Sequence, residues 1–83
     1  MGLHFTKHAR EKFKVLAKHK FNEDQIVDAI ENPDFIDYDR LPLYIAQKGL
    51  DKDHVLRVVY KIEKSVKIII TFYPGRKKQY EKN

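Results

Sequence analysis

Apolar residues recur at helical spacing in the first third of this chain and at strand spacing thereafter. Phe5, Ala9, Phe13, Leu16 and Ala17 share one face of a helix that Thr6 can cap and that runs to about His19; Leu3 to Phe5 is a candidate short strand before it. Asn22 followed by Gln25 has the spacing of a capping box, and Phe21 with Ile26 that of a hydrophobic staple, so a second helix starts there. Glu23 and Asp24 suit its positive N-terminus, Ile26, Val27, Ala29 and Ile30 form its apolar stripe, and Asn32 before Pro33 ends it.

From residue 34 the period shortens to two. Phe35, Ile36 and Tyr38 make one extended segment and Leu43 to Gln47 another, with a turn near Arg40 and Pro42 between them. After the polar turn Gly49 to Asp53, two long strands, Val55 to Ile62 and Val66 to Tyr73, are joined through Glu63, Lys64 and Ser65 as an antiparallel hairpin at the sheet centre. This order predicts one α+β domain over residues 1–83: two N-terminal helices packed on one face of a three- to four-stranded antiparallel sheet, with a loose basic C-terminal tail from about residue 76. The sheet's second face is then available for binding.

Composition narrows the class. The chain has 83 residues, 42% of them hydrophobic and 35% charged, which is the balance of a folded soluble domain. It has no cysteine, so a disulfide framework, a thiolate metal site and a cysteine nucleophile are excluded together. No apolar run is long enough to span a bilayer and the N-terminus lacks a leader-like apolar core, which gives a cytoplasmic location without a membrane partner as the expectation.

Charge is segregated along the chain. Residues 1–20 carry six Lys or Arg against one acid, residues 54–83 eight against two, and residues 21–53 three against nine, for a net +5 overall. If the two ends meet, they form one basic surface suited to an anionic polymer.

The candidate chemistry lies at those ends. The apolar run Val66 to Phe72 passes through Tyr73, Pro74 and Gly75 into Arg76, Lys77, Lys78, Gln79 and Tyr80, so a buried strand delivers cations and phenols to the sheet rim. Arg57 shares a strand face with Val55 and Val59, opposite Leu56, Val58 and Tyr60. Lys7, Arg10, Lys14 and Lys18 form a basic stripe on the first helix, away from its apolar face.

Cleavage of RNA without metal needs a base for the 2′-hydroxyl, cations for the phosphorane and an acid for the 5′-oxygen. Arg57 and Arg76 are the candidate charge stabilisers, His8 the candidate base and Tyr80 the candidate acid; Lys7, Arg10, Lys14, Lys77, Lys78 and Tyr73 are candidate nucleic-acid contacts. Each has a plainer account: Arg57 paired with an acid, His8 a satisfied surface imidazole, Tyr73 a packing residue, and residues 76–80 a solubilising tail. His4 and His8 have metal-pair spacing but no convincing third ligand, so neither metal nor cofactor is expected.

The segments Phe5-Thr6-Lys7-His8-Ala9, Asn32-Pro33, Leu56-Arg57-Val58 and Ile69-Ile70-Thr71-Phe72-Tyr73, with Arg76 after them, resemble a small family of uncharacterised domains that looks like a branch of the RelE/ParE toxin superfamily. The resemblance covers nearly the whole chain and departs at Lys12, where that family often has Arg, a planar fork rather than a point charge. It implies a RelE-like fold and a toxin-like protein that binds RNA or cuts it as an mRNA interferase. The partners it implies are RNA, including ribosome-bound mRNA, and a small acidic antitoxin. The alternative is a non-catalytic module of that fold that binds nucleic acid or an antitoxin.

Overall fold

The computed structural model describes residues 2–16 and 22–80, with the side chains of residues 13–16 and 79–80 outside the description. The elements in chain order are β1 (Gly2–Phe5), α1 (Lys7–Leu16), α2 (Glu23–Glu31), β2 (Phe35–Asp37), β3 (Tyr44–Gly49), β4 (His54–Glu63), β5 (Val66–Arg76) and the single turn α3 (Lys77–Tyr80). The strands form a five-stranded sheet in the order β1-β5-β4-β3-β2. β1 runs parallel to β5, and every other pairing is antiparallel.

This corrects the sequence expectation of two N-terminal helices on a three- to four-stranded antiparallel sheet. The sheet has five strands and is mixed, and its first strand precedes both helices. Leu3 to Phe5 is legible as a short strand, but its pairing with a strand some sixty positions away leaves no local signature, because parallel partners are joined through a crossover rather than a turn. The crossover here is α1, α2 and the meander that follows them.

Local chemistry explains the remaining elements. The Thr6 hydroxyl accepts the Ala9 N–H at 3.2 Å and so caps α1. Asn22 and Gln25 form the reciprocal capping box of α2: each side-chain oxygen accepts the other residue's backbone N–H, at 2.9 and 3.0 Å. The proposed staple partner Phe21, like His19 and Lys18, lies outside the described residues.

The helices and one sheet face enclose the main core. Ile26, Ala29 and Ile30 of α2 and Ala9 of α1 pack with Phe5, Ala46, Leu56, Val58, Tyr60, Ile69 and Phe72. Arg57 is therefore on the face away from the helices, as alternation along β4 predicts. That face is not bare, because Ile45, Val55 and Val59 on it are also buried.

The β4–β5 hairpin closes in two residues, Lys64 and Ser65, with φ of 49° and 67°. Positive φ at both central positions is the geometry that matches strand twist in a two-residue loop, and it disfavours residues bearing a Cβ. Ser65→Gly should therefore raise stability by about 1 kcal/mol and the midpoint of thermal unfolding by about 5 °C. A melting curve measured against Ser65→Ala, which gains nothing, checks it.

Candidate nucleic-acid interface

One row of polar side chains crosses the helix-free face. Gln47, Arg57 and Tyr73 lie opposite one another on β3, β4 and β5, and Asp37 stands on β2 one step along. The Arg57 side chain is only 4% exposed. Its Nε donates to the Tyr73 hydroxyl at 3.1 Å, one terminal nitrogen donates to Gln47 Oε1, and the other reaches Asp37 Oδ2 at 3.0 Å. Burial works against the guanidinium charge, but the bonds to Tyr73 and Asp37 outweigh it and hold its pKa above the ordinary value. Asp37 is held below the ordinary carboxylate value, first by the Asp39 N–H that its Oδ1 accepts and then by Arg57.

A bulge decides which face Tyr73 joins. Val59 pairs with Thr71 and Tyr60 with Ile69, so Ile70 is an extra residue in β5. Past it the alternation flips, which turns Phe72 into the helix-side core and Tyr73 toward Arg57. Thr6 holds the bulge, since its N–H donates to the Ile69 carbonyl and its hydroxyl to the Ile70 carbonyl.

The same contact seats α1 against β5 and brings Lys12 to the row. Its Nζ donates to Thr71 Oγ1 at 3.0 Å and stands 5.9 Å from the Tyr73 ring centroid, while Arg57 Cζ is 6.0 Å from that centroid. Burial lowers the Lys12 pKa. Tyr73, Lys12 and Thr71 are half-buried, so the row reaches solvent at its β5 end.

The topology also gathers charge. Pairing β1 with β5 sets the N-terminal segment beside Val66–Ile69, while the acidic middle makes up α2, β2 and β3 at the other edge; Arg76 and Lys77 lie past the far end of that pairing, beside His54 and Asp53. At the basic edge the predicted residues divide. His8 is exposed on the same flank of α1 as Lys12, four residues away. Lys7 and Arg10 are exposed on the opposite flank, where Arg10 lies over the Phe5 ring at 5.8 Å. Arg76 is exposed at the end of β5, in register with His54, and falls on the helix side with Phe72 and Pro74 rather than beside Arg57. The Lys77 N–H donates to the Asp53 carbonyl, and its ammonium lies close to Gly49; Lys78 is exposed. The side chains of Lys14 and Tyr80 lie outside the described residues.

The structure thus joins Arg57 with Tyr73 and turns Arg76 to the other face of the sheet. Asp37, Gln47, Lys12 and Thr71 were not among the sequence-derived candidates. Asp37 carried a usable signal: it is the acid inside an extended segment, and a mid-strand Arg needs such a partner. Gln47 and Thr71 gave none, because only register and the bulge bring them near; Lys12 stood out only as the position where the resembling family often has Arg. Among the described residues no three His, Asp or Glu side chains converge as a metal site, and no helix is long and apolar enough to cross a membrane.

Residues 5–74 match a family described as a domain of unknown function (DUF4258), and the chain belongs to that family. No curated protein and no solved structure matches the chain. The family match does not reach as far as the RelE/ParE superfamily.

Breaking the buried pair should cost more than replacing it. Arg57→Ala leaves Asp37 and Gln47 without their donor and is expected to lose about 3 kcal/mol, with a smaller loss for Arg57→Met, both read by urea unfolding. Because the Asp37 pKa is depressed on folding, its contribution is complete above the unfolded value of about 4 and is lost as pH falls through the lower folded value. Asp37→Asn should flatten that part of the stability curve below about pH 4.

Proposed function

We propose that this DUF4258 domain binds RNA along its basic β1–β5 edge and seats a backbone phosphate at Lys12 and Tyr73. The observation that carries this reading is the seating of basic α1 against β5, which sets a half-buried ammonium beside a phenol. Lys12 supplies charge from a site where part of its water is already removed, and an ion pair strengthens as the local dielectric falls. The Tyr73 oxygen accepts from Arg57, which leaves its O–H to donate to a phosphate oxygen. Arg57 acts from behind as the group that positions Tyr73. Lys7, Arg10, Arg76 and Lys78 add long-range attraction from the rim.

The lowered pKa of Lys12 favours a second, catalytic reading. An amine whose pKa is lowered by burial is a better base than a free lysine, and it can take the 2′-hydroxyl proton as that oxygen attacks phosphorus. The P–O5′ bond breaks, and Tyr73 protonates the departing 5′-oxygen, leaving a 2′,3′-cyclic phosphate. Arg57 would offset the charge that builds on the phosphorane. A toxin-like setting, in which a small acidic antitoxin covers the same edge, extends this reading and follows from the motif resemblance to the RelE/ParE superfamily.

Binding should weaken steeply with salt, and Lys12→Met should reduce the slope of log K against log salt by about 0.7 to 1 while lowering affinity. An unchanged slope and affinity would remove Lys12 from the interface. For cleavage, transcript-end mapping after induced expression should show new ends bearing 2′,3′-cyclic phosphate. Tyr73→Phe should abolish those ends while retaining most RNA binding.

A further inference from the structure

A second aromatic arrangement lies on the opposite face of the sheet and plays no part in the Lys12 site. Tyr38 follows β2, Tyr44 opens β3 and Tyr60 lies near the hairpin end of β4, with Tyr44 and Tyr60 directly paired. The Tyr44 and Tyr60 rings are stacked at 5.3 Å with an interplanar angle of 16°, and Tyr38 meets Tyr44 edge-on at 5.9 Å and 82°. Lys67 stands over the Tyr60 ring at 5.5 Å from its centroid. Tyr60 is buried, but Tyr38 is 56% exposed, and Ile62 beside the row is 45% exposed.

We propose that this row is a stacking platform for an unpaired base of single-stranded RNA, with Tyr38 as the contacting ring. Tyr44 and Tyr60 hold Tyr38 from behind, so little ring entropy is lost when a base stacks on it. Charge complementarity selects the ligand. Lys67 stands over the Tyr60 ring and Arg40 and Lys64 lie in the two turns at this end of the sheet, and aromatic faces beside cations suit a strand that carries both bases and phosphates. The inference takes RNA as its ligand class from the reading above but uses a different face.

The test compares an oligouridylate of about ten nucleotides with an abasic ribose-phosphate oligomer of equal length. The chain has five tyrosines and no tryptophan, so quenching of tyrosine emission reports stacking directly. The oligouridylate should bind about tenfold more tightly than the abasic oligomer, Tyr38→Ala should erase that difference, and Tyr38→Phe should keep it. Equal affinity for the two oligomers, both dependent on Lys12, overturns the platform and leaves the phosphate site standing. Tyr38-dependent uridylate binding without any abasic binding supports the platform and removes the phosphate site. Binding of neither probe ends both.

Discussion

A guanidinium charge buried in mid-sheet constrains the rest of this structure. Taking Arg57 out of water carries a desolvation cost that only close, well-directed partners offset. Those partners come from three other strands: Asp37 of β2, Gln47 of β3 and Tyr73 of β5. A slip of one residue in any pairing would turn a partner to the far face, so the buried cation works against alternative registers. The apolar neighbours Ile45, Val55 and Val59 do not provide that discrimination, since burying them requires no particular partner.

Register alone does not complete the network. Regular alternation from Ile69 would place Tyr73 on the helix side and expel Phe72 from the core. The extra residue at Ile70 reverses both. Thr6 bonds to the backbone there while capping α1 with the same side chain. One threonine therefore couples the start of the first helix to the β5 bulge, and through the bulge to the position of Tyr73. It also directs Lys12, which reaches Thr71 because α1 starts at that point along β5.

Topology does for charge what the bulge does for the polar row. The first and last segments are both basic but far apart in sequence, and parallel pairing sets the first beside Val66–Ile69 of the last. The acidic segment takes the other edge, so the domain is electrically lopsided without any long run of like charge. On the RNA-binding reading proposed above, such a molecule would orient in the field of a polyanion before contact, with the half-buried lysine as a short-range anchor. On the opposite face lies the tyrosine row, which shares no residue with the charged row.

Much of the secondary structure was legible without coordinates because its causes are local. The capping box at Asn22 and Gln25, the cap at Thr6, the stop at Asn32-Pro33 and the two long alternating strands act within a few residues of each other. The side of β4 that bears Arg57 was legible for the same reason. The place of the first strand in the sheet, its parallel pairing and the Ile70 bulge were not, because each depends on partners distant in the chain. Arg76 drew attention by residue type, yet the fold turns it to the face opposite Arg57, while Lys12 and Thr71 gained their places through it. Sequence by itself determined the helices, the central hairpin and a cation in need of an acid; only the tertiary structure decided which acid, which phenol and which lysine, because a β-sheet chooses its neighbours by long-range register rather than by order along the chain.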